Sequence, residues 1–386
     1  MKLHNLLRTS AAAALAAGIG LIATNGVAGA DVASPGFQHA HALFVESESS
    51  SGNRVLSYWR SSDGTFSYAG SYATGGDGVA AVGASADPLA SQDGLTLINN
   101  DTELVAVNSE SDTVSVFAVN GPHLTLIQQV ASQGLFPDSV ASDGNLVAVL
   151  NAGGEGSVAE YRLFGEFLVP LPGQVRDLNL GSANTNVPNF HYGAGEVAYT
   201  PNGQHLIIST KLSTNSFEVF SVGFLGQLGA NATVTASDNA LPFAFVFDAA
   251  GNVVSAEASN SSVSTYSVGS SGALTSLGTV STAPADVALC WISGANGYFY
   301  GSNAGSGNVS SFDESGTGAP QVVNADAATA HGGTIDSAVS PDGSTLYVES
   351  GGAGTIDAYA IGSGGTLTPI ETVFNVPPAS EGIAVS

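Results

Sequence analysis

The chain has 386 residues, only 10% of them charged, and its 32 acidic side chains against seven basic ones give a net charge of −25. We exclude nucleic acid and anionic membranes as partners, because phosphate binding needs clustered Lys and Arg. The single cysteine, Cys290, excludes a disulfide framework, so an apolar core must hold the fold. Cys290 lies in an apolar segment, and we expect a buried, inert thiol there.

The first thirty residues are typical of a secretory signal peptide. Lys2 and Arg8 give a positive start, Ala11 to Ile22 form an apolar segment, and Ala28 to Ala30 form a small-residue cleavage site. We expect residues 1–30 to be removed, with an uncleaved N-terminal anchor as the alternative. No later segment has the roughly 18 apolar residues of a membrane span. The sequence therefore predicts export, to the medium or to the periplasm or cell envelope.

One short pattern occurs seven times along the rest of the chain. Its clearest copy, Ser340 to Ile361, contains a tight SPDG turn, a strand, a Gly-rich loop and another strand. Pro presets φ in such a turn and Gly accepts a positive φ. Successive copies are 61, 42, 60, 47, 45 and 48 residues apart. These distances are measured between Leu43, Leu104, Leu146, Leu206, Val253, Tyr298 and Leu346.

Each copy is flanked by a preceding strand and by a more variable following one. Four strands in about fifty residues, repeated, are typical of a β-propeller blade. We predict an all-β, seven-bladed β-propeller with four-stranded blades, formed as a single domain by residues 31–386. Blade one lacks its first strand, and we expect Glu381 to Ser386 to supply it and close the ring. Gly75 to Ala90 and Asp177 to Gly193 are insertions that break the period.

The candidate site residues follow from this architecture. In a propeller, the starts of the first strands and the loops between second and third strands share one face around the central channel. We therefore expect a strongly negative channel mouth. The strand starts contribute Asp93, Asp138, Glu196, Asp336 and Glu381, and the loops add Glu46, Glu257, Glu349, Asn108, Asn151 and Asn303.

Three interpretations of this acidic face remain open. A ring of carboxylates suits a hard cation such as Ca²⁺, which binds six to eight oxygens. Alternatively, the acids only cap strand ends and solvate a polar mouth. The third interpretation is acid–base catalysis on an ester. The metal hypothesis uses Asp138, Glu196, Asp336 and Glu381 as ligands.

The catalytic hypothesis assigns one role to each of four residues. Crowding raises the pKa of Glu196, which then acts as acid or base. Lys211 polarises a carbonyl group, and His191 or His331 moves protons. A Gly-x-Ser-x-Gly nucleophile motif is absent from the sequence, so nothing favours a serine esterase.

Several segments between Ala42 and Ser386 carry a resemblance to a known family, among them LVAVNSESDTVSVFAV, VAYTPNGQHLIISTK and DSAVSPDGSTLYVESGGAGTIDAYAI. They resemble the lactonase family of seven-bladed propellers, which includes 6-phosphogluconolactonase and fungal-type 3-carboxymuconate cyclase. The resemblance implies a lactone hydrolase or cycloisomerase that acts on a sugar- or muconate-type lactone at the channel mouth. The family pattern has His-Pro-His just before the first strand of a blade. Here Asn189-Phe190-His191 stands earlier, and Gly195-Glu196 occupies the strand start.

The substrate and the activity both stay open at this point. Substrates with a phosphate or several carboxylates need Arg and Lys in the cleft, and only five basic residues follow the leader. The alternative is a non-catalytic exported binding or scaffold propeller, stabilised by a divalent cation. In either case we expect a monomer with a small-molecule ligand.

Overall fold

The computed structural model describes residues 41–181, 183–314 and 316–386, and the predicted signal peptide lies outside them. The described residues form seven four-stranded antiparallel sheets, which confirms the predicted architecture. Blade 1 consists of β28 (Ile383–Val385), β1 (Ala42–Glu46), β2 (Arg54–Arg60) and β3 (Phe66–Ala73). Blade 2 consists of β4 (Leu95–Ile98), β5 (Glu103–Asn108), β6 (Thr113–Asn120) and β7 (His123–Ala131). Blade 3 consists of β8 (Pro137–Asp143), β9 (Leu146–Asn151), β10 (Ser157–Phe164) and β11 (Phe167–Asp177).

The remaining four blades follow in chain order. Blade 4 consists of β12 (Glu196–Tyr199), β13 (His205–Ser209), β14 (Ser216–Ser221) and β15 (Thr233–Ala236), with a one-turn helix α1 (Lys211–Thr214) between β13 and β14. Blade 5 consists of β16 (Pro242–Phe247), β17 (Val253–Glu257), β18 (Ser262–Val268) and β19 (Leu274–Ser281). Blade 6 consists of β20 (Leu289–Ala295), β21 (Tyr298–Asn303), β22 (Asn308–Glu314) and β23 (Pro320–Thr329). Blade 7 consists of β24 (Thr334–Val339), β25 (Thr345–Ser350), β26 (Thr355–Ile361) and β27 (Leu367–Phe374).

The ring closes through the C-terminal strand, as the sequence predicts. β28 pairs with β1 in the register Leu43–Val385, Phe44–Ala384 and Val45–Ile383. The seven first strands contact one another in a closed cycle around the axis. Arg60 also holds the C-terminal residue, because its guanidinium donates two hydrogen bonds to the backbone carbonyl of Ser386. Closure thus gives blade 1 the same four strands as each of the other six blades.

Apolar side chains fill the spaces between neighbouring blades. At the closure, Leu43 and Val45 of blade 1 pack in one cluster with Tyr347 and Ile356 of blade 7. The rings of Phe66 and Tyr347 meet edge to face, 5.6 Å apart. Each blade shields its apolar faces only against its neighbours, so the ring gains its hydrophobic stabilisation as a whole.

The strand directions define two faces of the ring. We call the face that carries the loops between second and third strands the upper face, and the opposite one the lower face. The first strand of each blade begins at the upper face and ends at the lower one. Within the three described ranges, we find no helix that is both long and apolar enough to span a bilayer.

Candidate functional site

The first insertion enters the centre of the ring. The last two residues of this insertion and the two that follow, Leu89 to Gln92, are buried, and we call these four residues the plug. A hydrogen bond from Ala81 N to Pro88 O, 2.7 Å long, turns the chain inward just before it. The central channel is therefore filled at this level by the protein's own chain.

The C-terminal tail holds the plug from blade 1. The carboxylate of Glu381 accepts hydrogen bonds from the backbone N–H groups of Leu89, Ala90 and Ser91, at 2.5, 3.1 and 3.2 Å. Ala90 has a φ of 53°, which turns successive N–H groups toward one point. Such a concave run of N–H groups binds anions. Here the acceptor is the carboxyl group of Glu381, just before the closing strand. Burial and the nearby Asp87 raise its pKa, while the bonds from Ser91 N and Leu89 N act in the opposite direction.

Other blades hold the plug through its remaining polar groups. Ser91 donates its hydroxyl to Asp138 O of blade 3, 2.6 Å away, and its carbonyl accepts from the indole of Trp291 in blade 6, 2.7 Å away. Gln92 bonds to Gly195 O before blade 4 and to Ile292 N of blade 6. Because residues from blades 1, 3, 4 and 6 all form hydrogen bonds with it, the plug is fixed relative to the ring.

Lys211 of blade 4 also forms a hydrogen bond with the plug. This lysine is fully buried at the start of α1, and its Nζ donates to Ala90 O at 2.7 Å. The ammonium also lies 5.3 Å from the ring centre of Phe243. Burial lowers the pKa of Lys211, while the carboxyls of Asp138 and Asp87 act in the opposite direction. The hydrogen bond from Lys211 thus helps to fix the plug. Lys211 does not line the cavity described next.

A cavity of about 810 Å³ lies above the plug and opens at the upper face. Its wall is built from the strand starts and upper loops of blades 4 to 7 and from both insertions. The lining residues are Ser85, Ala86, Asp87, Phe190, His191, Leu212, Leu241, Phe243, Ala258, Ser259, Ala288, Cys290, Ala304, Gly305, Gly332, Gly333, Ile335, Gly352 and Ala353. We call it the upper cavity.

The two insertions meet at this cavity. Val82 of the first pairs with the second through Val82 N to Pro188 O, 2.8 Å, and Phe190 N to Val82 O, 3.2 Å. The first insertion places Asp87 in the wall, and the second places His191 there. The segments that break the repeat therefore supply the cavity's two ionisable polar groups.

The pKa values of these two groups move in opposite directions. Burial raises the pKa of Asp87, and the nearby Lys211 only partly offsets the change. Burial and the charge of Lys211 lower the pKa of His191, whose ring lies 3.8 Å from that of Phe190. Asp87 thus retains a proton more readily than a free aspartic acid, and His191 more readily stays neutral. Burial also raises the pKa of the Cys290 thiol in the same wall, which agrees with the expected inert cysteine.

A second cavity of about 480 Å³ lies below the plug and opens toward the lower face. Asp93 and Glu196 line it together with successive residues of the first strands, and it shares no lining residue with the upper cavity. Burial raises the pKa of Asp93 to about 6. The pKa of Glu196 is raised by burial and by the charge of Asp93, and its carboxylate accepts from Phe245 N at 2.6 Å. We call this the lower cavity.

The predicted catalytic residues are therefore not brought together. His191 lies in the upper cavity, Glu196 in the lower one, and Lys211 is buried beside the plug. His331 is 40% exposed, and its Nδ1 lies 3.0 Å from a carboxylate oxygen of Asp357. Sequence position places all four at the upper end of their blades, but it does not reveal that the first insertion separates them.

The acidic residues do not form the expected negative mouth. Glu46, Asp138, Glu257, Glu349 and Glu381 all have no exposed surface. Glu257, for example, accepts hydrogen bonds from Tyr266 and Asn239 inside blade 5. The predicted rim asparagines, Asn108, Asn151 and Asn303, are equally buried. Packing between blades covers these side chains, so the mouth is formed by apolar groups and glycines instead.

The predicted Ca²⁺ ligands Asp138, Glu196, Asp336 and Glu381 do not form a metal site among the described residues. Both carboxylate oxygens of the buried Asp138 lack a hydrogen-bond partner, while Asp336 accepts from Ser337 N and Glu381 binds the plug. In the part of the chain that the structure describes, no three His, Cys, Asp or Glu side chains are grouped so that they could hold a metal ion. These buried acids thus have separate hydrogen-bond surroundings.

Asp87 is the residue that sequence reasoning missed. It lies in the first insertion, for which the sequence pattern predicts only an interruption of the repeat. A usable signal was present: the segment VAAVGASADPLA is too apolar for a solvent-exposed loop, and it leaves a blade at the upper face. An apolar insertion at that face has only the channel in which to bury its side chains.

Comparison with solved structures confirms the resemblance at the level of the fold. The periplasmic gluconolactonase of Pseudomonas aeruginosa has a TM-score of 0.68 and 18% identity, with 89% of this chain and 98% of that one covered. A candidate 6-phosphogluconolactonase from Bacteroides uniformis has a TM-score of 0.70 and 16% identity, with coverage of 90% and 100%. One from Bacteroides fragilis has 0.68 and 17%, with coverage of 92% and 99%. No family model and no curated protein sequence matches the chain. The chain thus has the fold of lactonase-like propellers.

Proposed function

We propose that the protein hydrolyses a lactone in the upper cavity, with His191 as general base and Asp87 as general acid. The observation that carries this proposal is the presence of an imidazole and a carboxyl group in one wall of the cavity, with pKa values moved in opposite directions. Paired groups of this kind are typical of acid–base sites. The names of the structural neighbours, which include a gluconolactonase, support the same reaction class.

The proposed reaction needs only water and these two side chains. Neutral His191 accepts a proton from water as the water oxygen attacks the lactone carbonyl carbon. The tetrahedral intermediate then collapses, the ring C–O bond breaks, and Asp87 donates its proton to the departing ring oxygen. The product is a hydroxy acid, and the proton on His191 returns to Asp87 through solvent. Lys211 serves as a positioning residue, because it fixes the segment that carries Asp87.

We also propose that the chain is exported, on the basis of the signal-peptide pattern at residues 1–30. The Pseudomonas neighbour is named as periplasmic, which supports the same location. The low count of charged residues and the single cysteine fit an extracytoplasmic protein that does not depend on disulfides.

The experiment is a hydrolysis assay on a panel of lactones with the wild type and two variants. We expect His191→Ala to lower kcat by about 10²- to 10⁴-fold, the usual contribution of a general base. The melting temperature should not change, because His191 is exposed.

Glu196→Gln is the control: it lies in the lower cavity and should leave kcat within about twofold. Full activity of His191→Ala, or loss of activity in Glu196→Gln alone, would contradict the proposal. Binding of a lactone without turnover would favour the alternative, a non-catalytic binding propeller.

A further inference from the structure

The wall of the upper cavity is mostly apolar. Its residues include Phe190, Leu212, Leu241, Phe243 and Ile335, five alanines and four glycines, and the rest of the wall consists of Ser85, Asp87, His191, Ser259 and Cys290. Among the described lining residues, none is Arg or Lys. Apolar walls with a few convergent polar groups are typical of sites for uncharged organic ligands.

The electrostatic environment disfavours an anionic ligand. The whole chain carries a net charge of −25, and Asp87, the carboxyl group among the lining residues, supplies no positive charge in either protonation state. The nearest cation, Lys211, is buried, donates to Ala90 O, and has the carboxyls of Asp138, Asp87 and Glu381 near it. A phosphate or carboxylate in this cavity would lose water without gaining a charged partner, which is costly. Recognition of such groups normally uses Arg or Lys.

The size of the cavity gives a second criterion. Its volume of about 810 Å³ lies in the upper part of the range for small-molecule sites, which is roughly 300–1,000 Å³. A bare sugar lactone would leave much of the apolar wall uncovered. An alkyl or aromatic substituent would cover it and gain about 25 cal/mol for each Å² of apolar surface removed from water.

We infer that the substrate of the upper cavity is an uncharged lactone with an apolar substituent, and that phosphorylated and carboxylated lactones are excluded. This inference rests on the proposed function, because it names the substrate class for the same site. It separates this chain from the 6-phosphogluconolactonase names that its structural neighbours carry.

The test compares two probes, 3,4-dihydrocoumarin as the uncharged lactone and 6-phosphoglucono-1,5-lactone as the charged one. We expect kcat/KM at least tenfold higher for the uncharged probe. Ala353→Phe places a large side chain at the exposed rim of the cavity and should lower that value at least tenfold. Ala250→Phe is the matched control, because Ala250 is an exposed alanine in the turn at the lower end of β16. It should change kcat/KM less than twofold.

Binding is measured separately, so that the two proposals can fail independently. Trp291 packs 4.8 Å from Phe243, which lines the cavity, and Trp59→Phe leaves it as the only tryptophan. Ligand entry should therefore change the fluorescence of Trp291.

Binding of dihydrocoumarin that Ala353→Phe blocks, without turnover, would overturn the hydrolase function and support the ligand class. Turnover of the phosphorylated lactone alone would support the hydrolase and overturn the ligand class. Absence of binding and turnover for both probes would overturn the inference.

Discussion

Asp87 and His191 show how one buried lysine affects two other residues. Lys211 bears on the pKa values of both groups, yet its own hydrogen bond goes to the backbone of the plug. The larger cause in each case is burial, which disfavours the charged form of either group. The apolar wall therefore favours the protonated acid and the neutral base that hydrolysis requires.

These two groups predict the pH dependence of the reaction. Activity should fall at low pH, where His191 becomes protonated, and at high pH, where Asp87 loses its proton, so kcat/KM follows a bell-shaped curve. Asp87→Asn should lower kcat/KM and remove the fall at high pH, because an amide does not titrate. Glu196→Gln should keep both limbs. The measurement is kcat/KM for the uncharged lactone between pH 4 and 9, and a bell-shaped curve in Asp87→Asn would contradict the assignment.

At the scale of elements, the first insertion determines what the channel can do. It is held by Glu381 at one end of the chain's closing strand and by Lys211 of α1. The same six C-terminal residues thus close the ring and fix the plug. Ring closure and cavity formation are therefore physically linked.

This link predicts a local effect of one substitution. Glu381→Gln keeps the shape of the side chain but replaces one of its two acceptor oxygens with an amide NH₂ group. At least one of the three N–H groups then has no acceptor, which costs about 1–3 kcal/mol. Hydrogen exchange in peptides that cover Leu89 to Ser91 should become faster, and lactone hydrolysis should fall. Glu349→Gln is the matched control, because Glu349 is equally buried and its carboxylate oxygens have no hydrogen-bond partner among the described residues. Equal exchange rates in both variants would contradict the role of Glu381.

The strands could be predicted from the sequence, but the path of the insertion could not. Each of the seven residues between which the repeat is measured lies in an observed second strand, for example Leu104 in β5. Alternating side chains and glycine turns such as Gly343, with a φ of 69°, fix these strands locally. Leu89 to Gln92 have no such period, and their position depends on partners about 50 to 290 residues away. The sequence correctly predicts Glu196 at the start of a first strand, but it does not predict that Glu196 lines the lower cavity.

At the scale of the whole molecule, the structure contains many buried carboxyl groups. Burial raises the pKa of Glu48 and of Glu160 to about 8, and of Glu218 to about 7. Glu46 and Glu349 show the same direction for the same cause. Because the folded state holds protons that the unfolded state releases, these groups couple stability to pH.

The sign of this coupling predicts an alkali-sensitive protein. The stability contributed by a group such as Glu48 is fully present below the unfolded pKa, near 4.5, and is lost as pH rises through about 8. The melting temperature should therefore be higher at pH 5 than at pH 8.5. Glu48→Gln should reduce this difference, since a neutral amide has no proton to lose. A melting temperature that rises from pH 5 to pH 8.5 would show that the buried carboxyls are ionised in the folded state.

A crystal structure of the protein with a lactam analogue of an uncharged lactone tests most directly whether the upper cavity is the reaction site. A lactam keeps the ring carbonyl but resists hydrolysis, so it should remain in the site. We predict that it lies in the upper cavity with its carbonyl carbon near His191 and its ring nitrogen near Asp87, above a plug bound by Glu381 and Lys211. A lactam in the lower cavity beside Glu196, or an open channel without the plug, would contradict the account.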